Sequence, residues 1–283
     1  MTASVMNWQR QASFWKIAQT VPYGGSTDMP EYLYGHWPVM EALRANRRKI
    51  EQLLITETTE VKGVIGEISQ MANAREVPLR RVPREIMDDL ANKSNHQNTI
   101  LRVAGYPYVD VEDILAVAQQ RGEKPFLLLL DLLKDPQNVG TLMRIADAVG
   151  VHGIIIQERR AVSITPAVVS ASSGAVEHLH VAQVTNLVIT MKDLKEHDIW
   201  LVGMEVGPDL TPLNKTNLNM ALGLVLGSEG EGMRRLVRET CDLLLTLPMR
   251  GRVHSLNVAT VGSVALYSAW QARDWDGWNL AGR

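Results

Sequence analysis

Three polar stretches of the chain carry residue types that could do chemistry. In DPQNVGTLMRIADAVG, residues 135–150, a proline-bearing turn runs into a helix with a single arginine, Arg144, set among Leu142, Met143, Ile145 and Ala146. In GSEGEG, residues 227–232, glycines permit close backbone approach or positive φ, while Glu229 and Glu231 bring negative charge. In PMRGRVHSLN, residues 248–257, a basic loop ends on His254, Ser255 and Asn257.

A guanidinium is a fixed cation and a planar donor fork rather than a base. Two readings of Arg144 follow. It could pair with Asp147 at i, i+3 on an exposed face, worth only tenths of a kcal/mol, or it could orient an oxygen nucleophile and steady its developing charge. The glycine order G-x-x-G-x-G differs from the dinucleotide fingerprint G-x-G-x-x-G and lacks the lysine of a phosphate loop. Two carboxylates there repel a di- or triphosphate and suit a ligand with positive charge, such as a sulfonium or an amino acid group. A tight turn capping the next helix is the bland alternative, and a dinucleotide-dependent α/β enzyme is the competing active one. His254 carries an imidazole and is a conceivable proton acceptor, although a lone loop histidine is more often incidental.

The elements that must position these loops are legible as an alternation. FLLLLD (126–131) is a short apolar run, GTLMRIADAVG has helical spacing, and GIII (153–156) is again strand-like, which together make a parallel βαβ unit. A helix follows in TPAVVSASSG, with Thr165 as its cap, Pro166 in its first turn and Gly174 at its end. Further on come a helix near 186–197, strands IWLVGME and ALGLVLG, a helix EGMRRLVRETC, a strand LLLTLP and a last helix LNVATVGSVALYSAWQA. All three polar stretches then connect a strand to a helix. In a parallel sheet such loops emerge at the carboxyl ends of the strands and can converge on one crevice.

The 283 residues suffice for about two domains. Residues 1–30 read as an extension plus linker, 31–105 as a small α/β unit, 106–124 as a linker with one short helix, and 125–283 as the α/β domain just described. In the small unit PVMEALRAN reads as a helix, and QLLIT and NTILRVA as strands. Between 41 and 84 nine basic residues stand against six acidic ones. The cluster RANRRK within them is either a solvated helix end, with cations near the carbonyl terminus, or a phosphate-contacting patch. A net charge of -2 excludes a uniformly basic surface, so any nucleic-acid contact must be local. The single cysteine, Cys241, excludes an internal disulfide framework and fits a reducing compartment such as the cytosol. The apolar runs are far shorter than the roughly 20 residues that span a bilayer, so a soluble, cytoplasmic protein is expected, with an organellar location as the alternative. No His/Cys/Asp grouping has metal-ligand spacing, and no metal is expected.

Taken together, Asn138-x-Gly140-x-x-x-Arg144, LVLGSEGEGM with Glu229, and LPMRGRVHSLNVA with Pro248, Gly251, Ser255 and Asn257 resemble the three signature motifs of the SpoU (TrmH) family of RNA ribose 2′-O-methyltransferases, within the trefoil-knotted SPOUT class. YLYGHWPVMEAL and NHQNTILRV resemble the family's small amino-terminal RNA-binding domain, so the likeness covers about residues 31–270. Within the family the chain looks most like the bacterial 23S rRNA guanosine 2′-O-methyltransferase; a tRNA ribose methyltransferase and a non-catalytic RNA-binding relative are the alternatives.

The resemblance implies an α/β fold with a trefoil-knotted, mostly parallel sheet covered by helices, preceded by a small α/β RNA-binding domain. It implies S-adenosylmethionine as methyl donor, RNA as partner, rRNA above all, and a homodimer packed through the knot region. It places cofactor contacts at Gly227, Leu247 and Leu256, with Gly230 and Met249 beside them, and catalytic roles at Asn138, Arg144, Glu229, Ser255 and Asn257. In that setting Arg144 orients the ribose 2′-hydroxyl and stabilises its oxyanion. The small residues Ala259, Gly262 and Ser263, with Leu266, either pack inside the chain or, as the resemblance implies, form the two-fold contact, and Gly227 is expected to let the backbone close on the donor. The chain departs from the family at Ala259, where serine is frequent, and at Asn98, where glycine is common.

Overall fold

The computed structural model describes residues 30–207 and 209–278. Residues 1–29 of the expected extension lie outside the described residues. The chain divides into two compact units, one comprising residues up to His36 together with Arg48–Gly105, the other Trp37–Arg47 with Tyr106–Arg283.

The first unit is a four-stranded sheet in the order β1-β4-β2-β3, formed by β1 (Glu31–Tyr34), β2 (Ile50–Thr56), β3 (Leu79–Val82) and β4 (Thr99–Val103). β4 is antiparallel to both β1 and β2, while β2 and β3 run parallel. Helices α2 (Gly63–Asn73) and α3 (Arg84–Leu90) complete it, and Leu33, Leu53, Leu54, Ile55, Met87 and Ile100 are buried in its core. The helix read in PVMEALRAN spans His36–Ala45 as α1.

The cluster RANRRK divides: Arg44 stands exposed in the last turn of α1, as expected of a solvated helix end, while Arg47 and Arg48 are engaged within the fold. Arg44 pairs with Glu41 at 2.6 Å. Arg47 donates to the Leu179 and Glu177 carbonyls and lies over the Tyr106 ring. The Arg48 side chain is fully buried against Glu31 at 2.6 Å. Arg47 and Arg48 are therefore occupied as structural cations, one in each unit.

The second unit holds a seven-stranded sheet in the order β7-β6-β5-β10-β8-β11-β9. Its strands are β5 (Phe126–Asp131), β6 (Gly153–Gln157), β7 (Val181–Val184), β8 (Trp200–Met204), β9 (Thr211–Pro212), β10 (Leu222–Gly227) and β11 (Leu243–Thr246), all paired in parallel. Every residue of β5, β6 and β10 is buried, which is why these strands read as continuous apolar runs rather than alternating ones. The stretch 106–124, expected as a linker, is built into this unit. Its helix α4 (Val111–Arg121) starts where Asp110 N donates to Asp113 Oδ2 and stops at left-handed Gly122, and it buries Ile114 against Leu127, Leu129 and Ile155.

Helix α5 (Pro136–Ala148) begins where Asp135 accepts from the backbone N–H groups of Gln137 (3.1 Å) and Asn138 (3.3 Å), with Pro136 in its first turn. α6 (Pro166–Ala171) is shorter than TPAVVSASSG suggested. Thr165 is its N-cap residue but its hydroxyl makes no capping bond, and Ser173 at φ 54 ends the helical path before Gly174. α7 (Leu187–Glu196) is capped by Asn186, and α8 (Arg235–Thr240) covers only the end of the expected EGMRRLVRETC helix. The last helix, α9 (Val258–Ala272), starts at Asn257.

Most of the small residues of α9 are used inside the chain, the intramolecular packing that was the alternative to a subunit contact. Ala259, Gly262 and Leu266 are buried, and a Cβ on Gly262 would stand 2.4 Å from Leu142 and 2.6 Å from Leu226. Gly262 is thus what lets α9 close onto α5 and β10. No helix among the described residues is long and apolar enough to cross a membrane.

Candidate active site

Parallel pairing aligns Asp131 with Gly227 and Leu226 with Met204, so the segments after β5, β8 and β10 leave the sheet side by side. Between them lies a cleft of about 460 Å³, bounded by Met204–Val206, Leu226–Gly232, Thr246, Leu247, Met249 and Ser255–Val258. That volume falls within the roughly 300–1,000 Å³ of ordinary ligand sites. Gly227, Gly230, Leu247, Met249, Leu256 and Ser255 all line it. Its lining holds Glu205, Glu229 and Glu231 and no lysine, arginine or histidine. Such a wall repels a polyphosphate and accommodates a cationic ligand, and the sulfonium and ammonium of S-adenosylmethionine meet that requirement.

At one side of this cleft the three motifs meet through side chains. Asn138 Nδ2 donates to Glu229 Oε1 at 2.5 Å, and Asn257 Nδ2 donates both to that oxygen at 2.7 Å and to Asn138 Oδ1 at 2.9 Å. Asn257 Oδ1 meanwhile accepts from the backbone N–H groups of Ala259 (2.8 Å) and Thr260 (3.3 Å), so one amide caps α9 and fixes Glu229 at once. Glu229 also borders a second depression of about 260 Å³, walled by Leu132–Asp135, Asn138, Ser228, Glu231 and Val258.

The loop carrying Glu229 is a short hairpin. Ser228 and Gly232 exchange backbone hydrogen bonds at 3.0 Å in both directions, and Gly230 and Gly232 take positive φ. Just beyond it, the buried carboxylate of Asp131 receives the Arg234 backbone N–H and Nε, each at 2.8 Å, and Nη2 at 2.7 Å. Sequence reasoning passed over Asp131 and Arg234, which are 103 residues apart; an acidic residue closing an apolar strand was the only visible sign.

Gly227 is needed by the hairpin itself. A Cβ there would fall 2.2 Å from the Gly232 carbonyl carbon and the Met233 nitrogen. Gly227→Leu is expected to lower the unfolding free energy by about 1–3 kcal/mol or more, as at an overpacked site, and with it the unfolding midpoint, before any donor is added. Urea unfolding without ligand checks this, and an unchanged midpoint would return Gly227 to a purely ligand-facing role.

The structure does not bring Arg144 into the cleft. It is exposed on α5, donates from Nη1 to Ser173 Oγ at 3.2 Å, and is absent from the cleft lining. Gly140, one turn earlier, is pressed against Ala171 and Ser172, where a Cβ would stand 2.4–2.8 Å from their atoms. His254 is exposed in the loop before α9 and likewise lies outside the lining.

Comparison with known proteins identifies the family. Residues 125–267 match the model of the SpoU rRNA Methylase family, and residues 32–109 match that of the RNA 2′-O ribose methyltransferase substrate-binding domain. The chain is 42% identical over 244 residues to YacO of Bacillus subtilis (strain 168), a protein named for the TrmH family of tRNA/rRNA methyltransferases, covering 86% of this chain and 96% of that one. Its fold is shared with the SpoU methyltransferase AviRb from Streptomyces viridochromogenes in complex with AdoMet (TM-score 0.74, 21% identity, 94% and 99% of the two chains). It is shared too with an AdoMet-bound rRNA methyltransferase from Sinorhizobium meliloti (TM-score 0.71, 22% identity, 86% and 87%). With its motif side chains joined at a cleft suited to a sulfonium, and with family models matched along both units, the chain belongs to the SpoU rRNA Methylase family and is an RNA 2′-O-ribose methyltransferase that uses S-adenosylmethionine.

Proposed function

We propose that this enzyme methylates the 2′-hydroxyl of a guanosine in rRNA of the 23S type, acting in the cytoplasm as a homodimer whose knotted domain holds the donor. The observation that carries the reading is the Asn138–Glu229–Asn257 cluster, which stands where the donor cleft meets the second depression. When bound, the cofactor supplies a methyl group on a positively charged sulfur, open to attack by an oxygen nucleophile. The protein's part is to place that oxygen. With Oε1 of Glu229 held by two amides, its other oxygen is oriented for a donor in the second depression, which is sized for a ribose. Arg144 then steadies the hydroxyl or its neighbouring phosphate once RNA is bound. The sequence likeness to the 23S rRNA guanosine enzymes favours rRNA over tRNA. Mapping ribose methylation in total RNA from cells with and without the protein tests this: loss of one rRNA guanosine mark is expected, and loss of a tRNA mark alone would overturn the choice.

For the dimer, the exposed face of α9 replaces the buried small-residue stripe. Thr260, Val264, Tyr267 and Gln271 recur at helical spacing on its solvent side, with Val264 and Tyr267 each more than 40% exposed. Burying a charge in such a contact is costly. Tyr267→Glu is therefore expected to shift the light-scattering mass from dimer to monomer at micromolar concentration, whereas a dimer that persists would locate the contact elsewhere.

A further inference from the structure

Of the three carboxylates that line the donor cleft, one belongs to none of the motifs. Glu205 follows β8 directly, and its backbone N–H is tied to the Leu245 carbonyl of β11 at 2.9 Å. Its side chain is 22% exposed and lines the cleft. Oε1 accepts from Val206 N at 3.2 Å, and Oε2 lies 3.8 Å from Arg238 Nε, too far for a hydrogen bond. A Cβ on Gly232 would come to 3.3 Å from Oε1, so the bare backbone of the glycine-rich hairpin is what the carboxylate faces.

Strand order sets this group apart from the Asn138–Glu229–Asn257 cluster. β10 lies between β5, which leads to Asn138, and β8, which leads to Glu205. At about 4.8 Å per strand, the two sides of the cleft are roughly 10 Å apart. Glu205 is thus a carboxylate that a donor with its sulfur toward the acceptor side can reach with the rest of its length. In dinucleotide-binding sheets an acidic residue near the carboxyl end of the strand beside the glycine-rich loop hydrogen-bonds a ribose hydroxyl. The same relation holds here, with the hairpin following β10 and Glu205 following the adjacent parallel strand.

We infer that Glu205 is a cofactor-binding residue that accepts hydrogen bonds from the vicinal 2′,3′-hydroxyls of the donor's ribose. The assignment rests on the donor cleft described above and adds to it the group that distinguishes a ribonucleoside from a deoxynucleoside ligand. No covalent step is involved; the carboxylate exchanges water for two hydroxyl donors.

Calorimetric titration with S-adenosylhomocysteine and with its 2′,3′-dideoxy analogue tests it in the full-length protein. The native chain should bind the hydroxylated ligand about 10- to 100-fold more tightly, as for loss of a hydrogen bond to a charged group. In Glu205→Ala that preference should collapse to near unity, because the two changes remove the same contact. Glu205→Gln, which keeps the side chain's size, should retain a small preference and decides the matter if the alanine variant fails to fold. A native chain that prefers the hydroxylated ligand while the Glu205 variants keep the full preference would overturn the assignment and leave the donor cleft standing. Absence of any S-adenosylhomocysteine binding to the native chain would overturn both.

Discussion

Asn257→Asp is expected to cut single-turnover methylation of rRNA by roughly 10²- to 10³-fold, the loss typical of one preorganised donor, while leaving α9 folded. Aspartate caps a helix as well as asparagine does, so the bonds from Ala259 and Thr260 to the residue 257 side chain survive. What disappears is the Nδ2 donor that holds Glu229 at 2.7 Å and Asn138 at 2.9 Å. In its place a second carboxylate faces Glu229, and two carboxylates at that distance cannot both remain charged. A proton shared between them restores a donor, so the variant should recover part of its rate as the pH falls, whereas the native enzyme should not. Asn257→Ala removes the cap as well and should additionally lose about 1 kcal/mol of stability. Thermal melts beside rate measurements separate these effects. A native rate in Asn257→Asp would show that the cluster only shapes the loop.

For Arg144→Lys the expected loss in turnover is of the same order, roughly 10²- to 10³-fold, because lysine keeps the charge and loses the planar fork. Donor affinity should barely move, since Arg144 does not line the donor cleft. If the guanidinium serves only Ser173 Oγ, the lysine variant should behave as the native chain does. Its exposed position on α5, outside its own cleft, also allows service to a partner's site. Mixing Arg144→Lys with Asn257→Asp chains distinguishes the two arrangements. After subunit exchange, about a quarter of native activity should return if the arginine acts across a two-fold interface, and none if each chain is self-sufficient.

The strand-and-helix order of the second unit was legible because its sheet is covered on both faces, so FLLLLD, GIII and GLVLG stand out as apolar runs between helix-spaced segments. The loops that carry Asn138, Glu229 and Asn257 could be placed at one end of that sheet before any geometry was known. Much of the first unit was illegible. β3 reads LRRV, an edge strand with Leu79 exposed, and α2 carries two glycines, so neither shows a pattern. Partners remote in sequence were equally hidden. Nothing local announces that Arg48 will be buried against Glu31, that Arg234 will hold Asp131, or that Gly262 will admit Leu142. Glu205 escaped notice because it belongs to no motif, and its meaning comes only from standing beside β10.

The hairpin at Ser228–Gly232 is closed at its base by two backbone bonds and is followed immediately by the Arg234 clamp on Asp131. Opening it would break a buried, charge-assisted bond, so it acts as a fixed jamb. The opposite wall has a different character: from Arg250 to Asn257 every residue is exposed, and neither helix nor strand intervenes between β11 and α9. Segments with few buried contacts open at the lowest free-energy cost. By that reasoning the 250–256 segment, ahead of the anchored Asn257, is the wall of the cleft that opens at lower cost than the glycine-rich hairpin.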